Sequence, residues 1–376
     1  MNVMQLISSR LGYYGAERVV VTLSSALEEM GVKSFVGAFQ NGPKHGCLEV
    51  LDQARMRGVE TASILCNGRL DRKAIDTIRD IVARHNIDVV HCHGIKADLY
   101  ALLAASQDVA LVSTCHLWVF DSAKSWTISA LERCMLHGID RVVAVSDHII
   151  PQLRRFGLKA EVVNNGIDLE PYANSSSRFR KSMHWCERPV VGAIGRLADQ
   201  KGLQYLLRAA AELLKDIPNA VFVFAGDGPE QTHLEAEAKS LGIKEAVHFI
   251  GVRDDIPDIL ASIDVLAMPS LSEGLPMALL EAMASAKAVV TTPVGAIPRV
   301  IENESNGMLV TPGDVKSLTD ALRVLLNSSE LRLTLGRNAR ETVTSRFSAA
   351  SMANQYLKIY REAAFSKGRL VQQASL

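Results

Sequence analysis

The chain has 376 residues, of which 48% are hydrophobic and 22% charged, and its formal net charge is +0. There is enough apolar material for two domain cores, which excludes a disordered chain, and the lack of a basic excess argues against nucleic-acid binding. The start, M-N-V-M-Q-L-I-S-S, lacks the features of a signal peptide, and no apolar stretch approaches the length of a membrane span. Six cysteines without a C-x-x-C pair suit reduced thiols. We therefore expect a two-domain cytoplasmic protein.

Short apolar runs alternate with helix-length segments through the first half of the chain. The helical segments include residues 17–30 and 72–85. The predicted strands are residues 3–8, 34–39, 61–65, 88–92, 110–114, 141–146 and 161–164. Alternating strands and helices with continuously apolar strands predict a parallel sheet covered on both faces.

The pattern pauses at residues 169–188, which are polar and basic and are predicted to form a linker. It then restarts with predicted strands at residues 190–194, 220–225, 247–250, 265–268 and 288–291. The fold class is therefore α/β, with two doubly wound, Rossmann-like units facing a cleft. We predict domains at 1–168 and 189–347, with a final helix near 348–366 that crosses back to the first domain.

Ligands of open α/β sheets bind beyond the carboxyl ends of the strands, so the loops after strands are the candidate sites. Gly12 and Gly15 follow the first strand and precede a helix, as in a loop that brings backbone amides to an anion. A tight turn without a ligand is an equal alternative. Arg196 and Lys201 follow the first strand of the second half, in G-R-L-A-D-Q-K-G. Two cations beside a helix N-terminus predict a diphosphate-binding site, and solvated side chains are the alternative.

Two glutamates frame the apolar stretch S-E-G-L-P-M-A-L-L-E-A-M-A-S-A at residues 272–286. Pro276 suits the first position of a helix, which places Glu273 in the preceding loop. Glu281 then lies roughly 7 to 8 Å along the helix axis from Pro276. That distance suits a carboxylate that binds a ribose while Glu273 meets the group beyond the phosphates. A structural pairing of Glu281 with a neighbouring lysine or arginine is the alternative.

The motifs G-R-L-x-x-x-K-G, A-G-D-G-P at 225–229, E-G-L-P-M-A-L-L-E-A-M-A and N-G-M-L-V at 306–310 together resemble one known family. They are similar to those of the retaining nucleotide-sugar glycosyltransferases of family 4, glycosyl transferases group 1, which have the two-domain GT-B fold. The likeness covers nearly the whole chain and is strongest at residues 190–315.

The resemblance implies a role for each matching residue. Arg196 and Lys201 would bind the donor diphosphate, and Glu281 would bind the ribose. Glu273 would bind the transferred sugar together with the backbone amides of the next two residues. The full set expected at the donor is Gly15, Arg196, Lys201, Val252, Glu273, Gly274, Leu275, Pro276 and Glu281. His116, in S-T-C-H-L, would lie near the reacting carbon, so the catalytic set is His116, Arg196, Lys201 and Glu273.

The sequence departs from the family pattern at three positions. Tyr14 stands where relatives often have a second glycine, and Leu117 replaces the aspartate that often follows the histidine. G-A-I-P-R at residues 295–299 replaces G-G-x-P-E, so Arg299 occupies the place of a carboxylate.

The resemblance implies transfer of a sugar, with retention, from a UDP- or GDP-linked donor to a hydroxyl acceptor. The acceptor would be a lipid-linked or growing glycan in bacterial polysaccharide or lipopolysaccharide synthesis, and no cofactor or metal would be required. A nucleotide-sugar epimerase of the same fold and a non-catalytic nucleotide-sugar binding protein stay as alternatives. A retaining glycosidase would require a second carboxyl about 5 Å from the nucleophile, which the sequence leaves open for Glu281, but it would have no use for the Arg196 and Lys201 pair.

Two further groups of polar residues have simpler interpretations. His91 and His93 alternate at a strand end, but without an evident third ligand they are expected to be core histidines and not metal ligands. Arg154, Arg155 and Lys159, together with Arg178, Arg180 and Lys181, are compatible with peripheral contact at the cytoplasmic face of an inner membrane. A solvated face is the preferred interpretation of this basic cluster.

Overall fold

The computed structural model describes residues 1–8, 15–40, 48–68, 70–115, 134–145 and 147–368. The chain divides into two units, the first holding Met1–Gly166 with Ala349–Leu376 and the second holding Ile167–Ser348. The chain therefore passes between the units after Gly166 and again after Ser348.

The first unit is built on a seven-stranded sheet whose strands are all parallel. In chain order the strands are β1 (Asn2–Ile7), β2 (Lys33–Gln40), β3 (Glu60–Leu65), β4 (Val89–His93), β5 (Ala110–Cys115), β6 (Arg141–Ala144) and β7 (Ala160–Val162). Their order in the sheet is β3-β2-β1-β4-β5-β6-β7, so the direction of winding reverses between β1 and β4. That reversal is the ligand-binding position of a doubly wound sheet.

Helices cover this sheet. Their bounds are Gly15–Glu29, Glu49–Met56, Arg72–Arg84, Ile95–Ala104 and Ile150–Arg155, with a 3₁₀ turn at Asp147–Ile149. The final helix, Ala349–Ser366, also belongs to this unit and packs against the helix Gly15–Glu29 and against β5. Local sequence sets several boundaries, as where Asp71 caps the helix Arg72–Arg84 by accepting a hydrogen bond from Lys73 N–H at 2.9 Å.

The second unit repeats the plan with six parallel strands. These are β8 (Val190–Ile194), β9 (Val221–Ala225), β10 (Val247–Gly251), β11 (Val265–Met268), β12 (Ala288–Thr291) and β13 (Met308–Leu309). Their order is β10-β9-β8-β11-β12-β13, so the winding reverses between β8 and β11. Apolar clusters lie on both faces of the sheet, one including Phe222 and Leu322 and the other including Leu266 and Leu280.

The helices of the second unit pack on these two faces. Their bounds are Glu170–Ala173, Arg178–Ser182, Leu203–Asp216, Gln231–Ser240, Ile256–Ser262, Met277–Ala284, Val315–Asn327 and Ser329–Arg346. Three 3₁₀ turns stand at Asp199–Lys201, Lys244–Ala246 and Ile297–Arg299. All the predicted strands are confirmed within two residues of their ends, and β13 is a further strand that was not predicted from the sequence.

Residues 169–188, predicted to be a linker, lie within the second unit. Trp185 in this segment is 2% exposed, and its ring stands 5.6 Å from the ring of Phe179. Arg180 Nη1 forms an ion pair with Asp264 Oδ1 at 3.0 Å, and Arg180 Nη2 donates to the carbonyl of Arg188 at 2.7 Å. Arg180 is thus a structural residue and not part of a solvated basic face.

Candidate functional site

The turn that carries Lys201 is held by a glycine next to it. Gly202 adopts φ +62°, and a Cβ there would lie 2.2 Å from the carbonyl oxygen of Pro269. Only glycine permits this approach, which brings the turn Asp199–Lys201 against the chain that leaves β11. Leu271 N–H donates to the carbonyl of Gln200 at 2.8 Å and fastens the two segments together.

Lys201 meets Glu273 at this junction. Lys201 Nζ lies 2.6 Å from Glu273 Oε1, and the side chains are 19% and 7% exposed, respectively. Ser270 Oγ donates to the same Oε1 at 2.7 Å. Lys201 follows β8 and Glu273 follows β11, so the pair stands at the point where the winding of the second sheet reverses. A cation and a carboxylate are thus placed together at the expected ligand-binding edge.

The loop that carries Glu273 is supported from its other side by the loop after β12. Gly295 has φ +57°, and a Cβ there would lie 2.1 Å from the carbonyl oxygen of Glu273. Ala296 N–H donates to the carbonyl of Gly274 at 3.0 Å. Thr292 Oγ1 donates to the carbonyl of Ser270 at 2.6 Å. These contacts fix the backbone that orients the carboxylate.

The same loop presents backbone amides. Among the residues that the structure describes, none accepts a hydrogen bond from Gly274 N–H or Leu275 N–H. Pro276 follows as the N-cap of the helix Met277–Ala284, with ψ 127°, so the helix begins one residue later than predicted. The free amides and the positive end of the helix dipole make this loop suitable for an oxygen-rich or anionic ligand.

Glu281 is the fifth residue of the helix Met277–Ala284 and is 4% exposed. Arg196 is exposed, and it lines one small pocket with Lys201 and Ser270. Val252 stands directly after β10 and is 68% exposed. Of the predicted donor-binding side chains, Lys201 contacts Glu273, and Arg196 lines the same pocket as Lys201.

Most of the predicted first-domain site falls outside the described residues, including His116, Gly12, Tyr14 and Leu117. Gly15 begins the helix Gly15–Glu29, and a Cβ there would meet no atom within 4 Å. Arg299 is exposed at the end of the turn Ile297–Arg299, and its carbonyl accepts a hydrogen bond from Arg346 Nη2 at 3.1 Å. We find no structural reason for an arginine at this position.

His91 and His93 are buried in a hydrogen-bonded network, in line with the prediction of core histidines. His91 Nδ1 lies 2.7 Å from Tyr360 Oη, and His91 Nε2 lies 2.7 Å from Thr114 Oγ1. His93 Nε2 lies 2.8 Å from Gln5 Oε1. The network joins β1, β4 and β5 to the final helix. Burial raises the pKa of the Tyr360 hydroxyl well above its usual value, so the hydroxyl stays protonated as a donor.

Neither a metal-binding cluster nor a membrane-spanning helix occurs in the described part of the chain. No cluster of three or more histidine, cysteine, aspartate or glutamate side chains there is arranged to bind a metal ion. In the same residues, no helix combines the length and apolar character that a membrane crossing demands.

Comparison with known proteins shows the family to which the chain belongs. The model of the family Glycosyl transferases group 1 matches residues 176–342, and that of Glycosyltransferase Family 4 matches residues 13–171. The chain is similar to UDP-Gal:alpha-D-GlcNAc-diphosphoundecaprenol alpha-1,3-galactosyltransferase of Escherichia coli, with 25% identity over 79% of this chain and 81% of that protein. It is also similar to N-acetyl-alpha-D-glucosaminyl L-malate synthase of Bacillus anthracis, with 29% identity over 75% of this chain and 76% of that protein.

Among solved structures, Anabaena HepE in complex with UDP has a TM-score of 0.82 to this chain. The identity is 22%, and the alignment covers 96% of this chain and 100% of that one, so the likeness concerns the fold. Two parallel-sheet α/β units and these matches define a GT-B protein. The chain belongs to the group 1, family 4 glycosyltransferases, and it is a glycosyltransferase.

Three residues of the site were not predicted from the sequence: Ser270, Thr292 and Gly295. Ser270 stands only three residues before Glu273, so its place in the loop after a predicted strand was a usable signal. Thr292 and Gly295 gave none, because their contacts depend on β12 lying beside β11.

Proposed function

We propose that this chain transfers a sugar, with retention, from a nucleoside diphosphate sugar to a hydroxyl acceptor. The observation that carries the proposal is the contact between Lys201 Nζ and Glu273 Oε1 at 2.6 Å, where the winding of the second sheet reverses. A group that binds anions and a group that binds hydroxyls stand side by side there, as a ligand containing both phosphate and sugar requires.

Each side chain has a role in this proposal. Arg196 and Lys201 bind the diphosphate, helped by the positive end of the helix Met277–Ala284. Glu273 binds hydroxyls of the transferred sugar, while Gly274 N–H and Leu275 N–H donate to its oxygens. Glu281 accepts hydrogen bonds from the ribose, and the chain near Val252 contributes to donor binding.

The chemical step places negative charge on the departing diphosphate. Fixed cations at that position stabilise the transition state more than the bound donor, and this difference accelerates the reaction. The acceptor hydroxyl attacks on the face that the leaving group vacates, and a donor phosphate oxygen accepts its proton. Glu273 positions the sugar and forms no covalent bond. The reaction requires no metal or other cofactor.

We propose a UDP- or GDP-linked donor and a lipid-linked or growing glycan as acceptor, in bacterial polysaccharide or lipopolysaccharide synthesis. Two named proteins support this choice. The Escherichia coli relative is named for transfer from UDP-Gal to a sugar on diphosphoundecaprenol, and the HepE structure contains UDP. An acceptor with a polyprenyl tail would bring the protein to the cytoplasmic face of a membrane.

The test is to add UDP- and GDP-sugars one at a time and to measure nucleotide release with and without a polyprenyl diphosphate-linked sugar. We expect acceptor-dependent release with one donor class, and NMR of the product should show the donor's anomeric configuration. Lys201→Met should abolish most of this activity, whereas Lys239→Met, an exposed lysine on the helix Gln231–Ser240, should not. Donor conversion without an acceptor would indicate an epimerase, and binding without turnover would indicate a non-catalytic binding protein. Product of inverted configuration would refute retention.

A further inference from the structure

We propose that Ser270 is a positioning residue for the transferred sugar, and that Thr292 holds Ser270 in place. The inference rests on the proposed function, because it concerns the carboxylate of Glu273 that would bind the sugar. Ser270 acts through Glu273 and need not touch the donor itself.

The hydrogen bonds on Glu273 are unequal between its two oxygens. Ser270 Oγ at 2.7 Å and Lys201 Nζ at 2.6 Å both donate to Oε1. Within the described residues no hydrogen bond reaches Oε2. The two donors therefore fix the rotation of the carboxylate and leave Oε2 as the acceptor for a sugar hydroxyl.

Ser270 is itself held firmly. It is 1% exposed, and its carbonyl accepts a hydrogen bond from Thr292 Oγ1 at 2.6 Å. Thr292 is also 1% exposed and directly follows β12, which pairs with β11. The position of the Ser270 hydroxyl is thus set by two neighbouring strands and not by a mobile loop.

The two donors to Oε1 should behave differently when a donor substrate binds. Lys201 is a cation, so an arriving diphosphate competes with Glu273 for it. The Ser270 hydroxyl carries no charge, so a diphosphate attracts it less strongly than it attracts the lysine. Ser270 is therefore the contact that keeps Glu273 oriented while Lys201 turns towards phosphate. Its loss should weaken recognition of the sugar while leaving recognition of the nucleotide intact.

The experiment compares Ser270→Ala with Ser272→Ala, which removes an exposed hydroxyl from the same loop. Titration calorimetry measures binding of UDP and GDP, and of UDP-glucose, UDP-galactose, UDP-N-acetylglucosamine and GDP-mannose. For Ser270→Ala we expect the free nucleotide Kd to stay within about twofold. The Kd of the sugar nucleotide and the kcat for nucleotide release should each worsen by about tenfold, the size expected for one hydrogen bond to a charged group. Ser270→Thr, which keeps the hydroxyl, should restore both.

A second pair of variants tests the role of Thr292 and covers the case in which Ser270→Ala fails to fold. Thr292→Val keeps the shape and loses the hydroxyl, and Thr292→Ser keeps the hydroxyl. Only Thr292→Val should weaken the sugar nucleotide selectively. The proposal is overturned if Ser270→Ala and Thr292→Val both behave like Ser272→Ala, or if they weaken free nucleotide and sugar nucleotide equally.

Failure of the proposed function gives a different result. If Glu273→Gln loses sugar-nucleotide binding while Ser270→Ala keeps it, the positioning role is wrong and the proposed function stands. If the unaltered protein neither binds any of these sugar nucleotides nor transfers sugar from them, the proposed function fails, and the role of Ser270 fails with it.

Discussion

Replacing Lys201 by methionine should destabilise the second unit as well as abolish activity. The change removes the cation at 2.6 Å from Glu273 Oε1 and leaves a carboxylate that is only 7% exposed. Breaking a fully buried ion pair costs about 3 to 5 kcal/mol. Here Lys201 is 19% exposed and Ser270 still donates to the same oxygen, so we expect a smaller loss, about 2 kcal/mol.

The carboxylate is the cause of this loss, so removing its charge should reverse it. Glu273→Gln in the Lys201→Met background should recover at least about 1 kcal/mol, and the double-mutant cycle should give a coupling of about 1 to 2 kcal/mol. Urea unfolding followed by tryptophan fluorescence is a suitable measurement, because Trp185 is 2% exposed in the same unit. Lys239→Met is the matched control, and its stability should change by less than about 0.5 kcal/mol.

A coupling near zero would refute this reasoning. It would mean that Lys201 and Glu273 do not interact in solution without a ligand, and the site would then lack the preformed pair. If Lys201→Met is as stable as the parent protein but its kcat falls about 10²-fold or more, Lys201 stabilises the transition state and does not stabilise the fold.

The remaining predictions concern the two glutamates and a buried aspartate. Glu281→Gln should weaken binding of free nucleoside diphosphate, whereas Glu273→Gln should not weaken it and should weaken only the sugar nucleotide; equal losses in calorimetry would contradict the assigned roles. Burial raises the pKa of the Asp98 carboxyl to about 7, although a hydrogen bond with Ser113 acts to lower it. Among the described residues, Asp98 Oδ1 has no hydrogen-bond partner. Because the folded pKa lies above the unfolded value of about 3.9, the stability present at low pH is lost between about pH 4 and 7. Asp98→Asn should therefore stabilise the protein at pH 8, by at most about 4 kcal/mol, and have little effect at pH 4, and urea unfolding showing equal effects at both would refute this.

The sequence predicted the fold well because the strands carry a strong local signal. Runs such as residues 190–194 and 265–268 are continuously apolar, and β8 and β11 have these bounds. Polarity was a poor guide at residues 169–188, which were predicted to be a linker and belong to the second unit. Charged side chains such as Arg180 looked solvated, yet this arginine binds Asp264, 84 residues further along the chain. Composition does not reveal such a partner.

The site was predictable as a set of residues but not as an arrangement. Lys201 and Glu273 were each identified from the loops in which they lie, but nothing in their spacing of 72 residues indicates that they touch. Their contact depends on β8 lying beside β11 and on Gly202 packing against the Pro269 carbonyl. Ser270 was not predicted for a related reason. A serine after a strand is common, and only its hydrogen bond to Glu273 shows that it belongs to the site.

The contact between Lys201 and Glu273 also bears on how the site distinguishes ligands. A free diphosphate can draw Lys201 away from Glu273 Oε1 but offers no hydroxyl to Oε2, so part of its binding free energy is offset by the lost ion pair. A free sugar can engage Glu273 but cannot attract Lys201. A ligand that carries both a diphosphate and a sugar gives a phosphate to Lys201 and a hydroxyl to Glu273 at the same time, so the binding of phosphate and of sugar should be coupled. The Ser270 hydroxyl, which donates to Oε1 in either case, keeps the carboxylate in place for the second half of the ligand.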